Sequence, residues 1–122
     1  MAPPITLLYR AAANGLEVVV QAQILAGADI NNGEGDKRRT PLFVAASNGH
    51  MLVVRALIEA GADINKAGND GVTPLLAAAD RGHETVVRAL IQAGADVNKT
   101  EDNGCTVLFM SACQGHEPEC GY

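Results

Sequence analysis

Apolar positions along this chain fall into short helical stripes separated by polar turns. Leu75, Ala78 and Ala79 are spaced by three and four residues, so they share one helix face. Thr73-Pro74 opens that helix. The Thr hydroxyl caps the first turn, and Pro takes the first helical position, where its missing N–H costs nothing. Gly82, after Arg81, suits a left-handed C-terminal stop. A second helix is predicted from His83, with Val86, Val87, Leu90 and Ile91 as its apolar stripe and Gly94 as its end. Asp70-Gly71 before this pair, and Asn103-Gly104 after it, are type I′ turn signals. Helices below roughly 12–15 residues are marginal alone in water, so each unit must lie on its neighbours.

The unit recurs. Thr stands at 6, 40, 73 and 106, and Gly at 15, 49, 82 and 115, both with steps of 34, 33 and 33. Gly-Ala-Asp-Ile/Val-Asn occupies 27–31, 61–65 and 94–98. This periodicity predicts one all-α domain over 1–122, a solenoid with repeats at about 5–34, 35–67 and 68–100 and a partial fourth at 101–122. The alanines at 45, 46, 78 and 79 let the first helices of neighbouring units approach closely.

Composition narrows the class. An apolar fraction of 48% is too high for a disordered chain. With 3% aromatics and no Trp, the core must be Ala, Val, Leu and Ile. The net charge of −5 argues against nucleic acid as a partner. No run approaches the ~18 apolar residues of a membrane helix. Met1-Ala2-Pro3-Pro4 lacks a basic leader region and Arg10 breaks the apolar stretch early, so the chain is not expected to be secreted. Three cysteines make no disulfide framework, which points to a reducing cytoplasmic or nuclear setting.

Thr40-Pro41-Leu42-Phe43-Val44-Ala45-Ala46 and Thr73-Pro74-Leu75-Leu76-Ala77-Ala78-Ala79 resemble the ankyrin signature T-P-L-H-x-A. Gly49-His50, Gly82-His83 and the Gly-Ala-Asp segments are similar to the same family, over about residues 5 to 116. The resemblance implies paired antiparallel helices with a β-hairpin projecting sideways. It also implies recognition of a partner protein by the hairpin tips and the concave face of the first helices. The chain departs from the pattern in places. Tyr9, Phe43, Leu76 and Phe109 replace the signature His, which predicts apolar packing there. The linker from Asn31 to Thr40 has one extra residue and carries Lys37-Arg38-Arg39, so its hairpin is expected to be irregular. Gln23 stands where Leu57 and Leu90 do, as suits a terminal cap. After Gly115-His116 too few residues follow for a second helix, which leaves Leu108, Phe109 and Met110 poorly shielded.

Catalytic chemistry finds no convincing site. His50, His83 and His116 lie one period apart, which gives them a structural reading and spreads them along the stack. Asp29, Asp63 and Asp96 recur likewise and are turn formers first. Cys113, His116 and Cys120, with Cys105 as a fourth ligand, could complete a tetrahedral zinc site, but the spacing is not that of a finger and free thiols are preferred. Gly33-Glu34-Gly35 is too short for a phosphate loop. No metal, cofactor or enzymatic activity is expected.

The informative residues are those that break the repeat. By position in the family they are Asp36, Lys37, Arg38, Arg39, Asn69, Asp70, Val72, Asp102, Asn103 and Cys105 in the hairpins. Before the Gly-His steps they are Ala13, Asn14, Ser47, Asn48, Asp80, Arg81, Cys113 and Gln114. Lys37-Arg38-Arg39 is the one basic cluster in an acidic chain, suited either to solvation or to an acidic patch on a partner. The expected function is protein–protein interaction. The alternatives are a self-assembling module that pairs through its uncapped last repeat, or a regulatory ankyrin fragment of a larger protein.

Overall fold

The computed structural model describes residues 6–97. Within them lie α1 (Leu7–Asn14), α2 (Glu17–Leu25), α3 (Pro41–Ser47), α4 (Met51–Glu59), α5 (Pro74–Asp80) and α6 (Glu84–Gln92). Each odd helix pairs with the even helix that follows it, and the pairs stack. α1, α3 and α5 lie side by side as one layer, and α2, α4 and α6 as the other. Among the described residues there is no β-strand; the hairpins contribute only an isolated antiparallel bridge between Glu34 and Arg39.

The three first helices begin as their sequences dictate. The hydroxyl oxygens of Thr6, Thr40 and Thr73 accept from the backbone N–H of Tyr9, Phe43 and Leu76, an N-cap worth about 1 kcal/mol each. Thr40 and Thr73 are buried, so their capped oxygens find no water to replace the bond. Ala11, Ala12, Ala45, Ala46, Ala78 and Ala79 are all 1% exposed or less. Small side chains at these facing positions bring the helix axes together, and Leu8, Leu42 and Leu75 fill the space beside them.

The Gly-His step joins one repeat to the next. The His50 ring Nε2 lies 3.0 Å from the Ala13 carbonyl oxygen, and that of His83 lies 3.0 Å from the Ser47 carbonyl oxygen. Each ring also packs on the glycine of the preceding repeat. A Cβ added to Gly49 would stand 2.7 Å from the His83 Nδ1. The glycine therefore serves two needs, a left-handed φ of 77° and room for an imidazole. A second ladder runs along the loops. Asn31 accepts from the Asp63 N–H at 2.7 Å and Asn65 from the Asp96 N–H at 2.8 Å, while the Asp29 and Asp63 carboxylates close local turns onto Asn31 and Asn65.

Three expectations are corrected. The turn at Asp70-Gly71 is not type I′, which needs positive φ at both central residues; Arg38 alone among the described non-glycines has one. Instead the Gly71 N–H donates to the Gly68 carbonyl at 3.1 Å and Gly71 follows with φ 79°, a type I turn closed by a left-handed residue. The first hairpin is also more regular than expected. Its extra residue is absorbed before Glu34, and Glu34 and Arg39 exchange both bridging hydrogen bonds at 2.8 and 3.0 Å. Arg38 takes the place of Gly71 with φ 56°. Finally, Ile91 does not join the buried stripe of Val86 and Leu90, being 44% exposed. Successive helical residues turn by about 100°, so a residue next to Leu90 is carried to the rim. Phe43 and Leu76 are buried and Tyr9 half-buried, as the loss of the signature His implies; Phe109 lies outside the described residues.

Candidate functional site

Hairpins and first helices meet in a cleft of about 230 Å³, lined by Arg39, Phe43, Ser47, Asp70, Val72, Ala77, Asp80 and Arg81. Its floor belongs to α3 and α5, and its wall to the two hairpins. Six residues singled out from the sequence, Arg39, Ser47, Asp70, Val72, Asp80 and Arg81, come together here from two stretches of the chain, 39–47 and 70–81, each a hairpin end with the helix that follows it.

Arg39 organises the wall. Its Nη2 lies 2.7 Å from the Asp70 Oδ2, and its guanidinium carbon lies 4.5 Å from the Phe43 ring centroid. That stacking turns its Nε inward, where it has no acceptor among the described residues. Lys37 Nζ is 3.8 Å from the same Asp70 oxygen. Partial burial alone would raise the Asp70 carboxyl. The hydrogen bonds from Arg39 and the Val72 N–H outweigh it and hold the group below the ordinary value near 3.8. Burial pushes the Tyr9 hydroxyl above its usual range, opposed by Arg39 and aided by Glu34.

The hairpin tips are sewn together by backbone. The Asn69 N–H donates to the Lys37 carbonyl at 2.7 Å, and its side-chain amide donates to the Asp36 carbonyl at 3.3 Å. Asp36, Lys37 and Arg38 are exposed at the first tip. Asn48 is exposed and donates to the Ala13 carbonyl at 3.0 Å. Asp102, Asn103, Cys105, Cys113, Gln114, His116 and Cys120 lie outside the described residues.

Glu34 was missed. It is only 9% exposed, and its carboxylate accepts from the Thr6 N–H at 2.7 Å and the Thr6 hydroxyl at 2.6 Å. It thereby fixes the first hairpin to the start of α1. The available signal was a charge standing where the next repeat has Ala67. Phe43 is buried, as apolar packing in place of the signature His predicts, and it is also the platform for Arg39.

Among the described residues, no group of three His, Cys, Asp or Glu side chains could hold a metal ion, and no helix is long and apolar enough to cross a membrane. A family model for ankyrin repeats, in three copies, matches residues 8–101. The chain belongs to the ankyrin-repeat family. No individual curated protein matches it significantly. Ankyrin repeats are generally protein–protein interaction modules, and the cleft lies where the hairpins of this ankyrin stack turn towards its first helices.

Proposed function

We propose that this ankyrin stack binds a partner protein through its hairpin tips and concave face, without catalytic activity or a cofactor, in the cytoplasm or nucleus. The observation that carries the reading is the convergence in one cleft of six residues that depart from the repeat. In a solenoid the repeated residues are occupied with stacking, as the Gly-His and Asn ladders are here, so the variable ones are left for recognition. Arg39 and Asp70 shape the wall rather than contact the partner first, because they are spent on each other and on Phe43. Ser47 and Arg81, with Lys37 and Arg38 at the tip, are the residues offered outward.

The test is capture from a lysate by the intact chain, by a cleft variant (Ser47→Arg with Arg81→Glu) and by an outer-layer variant (Arg55→Glu with Arg88→Glu). A protein retained by the intact chain and the outer-layer variant, but lost by the cleft variant, supports the reading. Loss with the outer-layer variant alone places binding on the other face and defeats it. Self-association through Leu108, Phe109 and Met110 is the rival, and a monomer mass in light scattering at all concentrations removes it.

A further inference from the structure

The cleft lining itself balances two Arg against two Asp, but the exposed charges around it, on the first hairpin, at the end of α5 and on α1, are basic in majority, unlike the chain as a whole. Of the eight Lys and Arg among the described residues, Lys37, Arg38, Arg39 and Arg81 stand in the first hairpin or the cleft. A fifth, Arg10, occupies in α1 the position that the cleft residue Ala77 has in α5, and it is exposed. The acidic groups on this side are mostly engaged. Glu34 holds Thr6, Asp70 is held by Arg39 and Lys37, and Asp80 is not free; Asp36 and Asp80 are the exposed ones. By contrast, Arg10, Arg38 and Arg81 have no ion pair or side-chain hydrogen bond among the described residues. The acids Glu17, Glu59 and Glu84 lie on the other helix layer, and Asp29 and Asp63 in the loops after it. Arg38 also keeps a left-handed backbone, φ 56°, at the position where the next repeat has Gly71. A non-glycine in that region costs roughly 1–2 kcal/mol, and the Arg38 side chain is exposed.

We infer that the concave face takes an acidic segment of a partner protein, its Asp or Glu carboxylates gripped by Arg81 at the cleft, Arg38 at the hairpin tip and Arg10 one repeat further along. The inference rests on the binding function proposed above and adds the chemistry of the partner. Arginine suits the task because its planar fork meets a carboxylate through two parallel hydrogen bonds. The overall negative charge of the chain would keep other acidic surfaces away from every face but this one. Arg39 is excluded from the contact set by its bond to Asp70, and Lys37 lies beside the same carboxylate, so the basic cluster acts through Arg38 rather than as three equivalent charges.

The experiment is selection of a displayed random-peptide library on the intact chain, followed by titration of the strongest peptide. The titrations use the intact chain, the triple variant Arg10→Gln/Arg38→Gln/Arg81→Gln, and the control Arg55→Gln/Arg88→Gln. Circular dichroism melting confirms that each is folded; all five side chains are exposed or nearly so, so folding should be retained. The expected peptides are enriched in Asp and Glu, lose affinity at least about tenfold with the triple variant, keep it with the control, and weaken with added salt. Neutral or basic peptides that bind in the cleft would overturn the inference and spare the binding function. Peptides unaffected by the triple variant but lost with the control would overturn both. Tighter binding of a single-stranded DNA oligonucleotide than of the acidic peptide would overturn the inference in favour of a phosphate backbone.

Discussion

Replacing Gly49 by Ala tests the coupling between repeats. Two costs are separable. The first is the backbone: Gly49 has φ 77°, where a Cβ costs roughly 1–2 kcal/mol, offset by a gain of about 0.4–1 kcal/mol from a stiffer unfolded chain. The second is the contact: the new Cβ would lie 2.7 Å from the His83 Nδ1 and 2.8 Å from its Cε1, far inside van der Waals distance. The ring must tilt away, straining the 3.0 Å bond from its Nε2 to the Ser47 carbonyl oxygen. Overpacking of this kind typically costs about 1–3 kcal/mol. Gly61→Ala is the control. Its φ is 91°, but a Cβ there meets nothing within 4 Å, so it carries the backbone cost alone. Urea denaturation should therefore show Gly61→Ala destabilising by about 1 kcal/mol and Gly49→Ala by about 2–4 kcal/mol. In the double variant Gly49→Ala/His83→Ala the clash vanishes, so the two changes should cost less together than the sum of each alone. Equal losses for Gly49→Ala and Gly61→Ala, or strict additivity with His83→Ala, would refute the imidazole contact as the link between these repeats.

Other outcomes follow from the hairpins and the core. Arg38→Gly should stabilise the fold by about 1 kcal/mol, read as a higher urea midpoint at unchanged slope, because φ 56° is free for glycine. Asp70 has a lowered folded pKa, so its contribution is full above the ordinary value near 3.8 and is lost as pH falls from there through the folded value. The stability difference between the intact chain and Asp70→Asn should accordingly shrink on acidification below about pH 4 and stay constant above it. Glu34→Ala leaves the Thr6 N–H and hydroxyl without their acceptor and should cost about 1–3 kcal/mol by the same denaturation. Leu57→Ala, at a site with 0% exposure, should cost about 2–5 kcal/mol.

Sequence alone determined the helices, their order and their stacking. Thr-Pro starts, left-handed glycines and stripes spaced by three and four are local instructions, and a period of 33 or 34 residues repeats them until only a stack can bury the stripes. Arg39, Ser47, Asp70, Val72, Asp80 and Arg81 were nominated by their positions in the family the chain resembles, at places where the repeat varies. Tertiary structure decided how these residues are used. Lys37, Arg38 and Arg39 read as three like charges; only packing across repeats, with Phe43 beneath and Asp70 opposite, separates a structural arginine from an outward one. Glu34 could not be assigned because its partner, Thr6, lies 28 residues away and the bond depends on how the hairpin docks. The type of turn at Gly71 and the regularity of the first hairpin were settled by backbone bonds across the turn, which a dipeptide signal does not specify. Local propensity acts through neighbours in sequence, whereas ion pairs, ring stacking and hairpin docking act through neighbours in space.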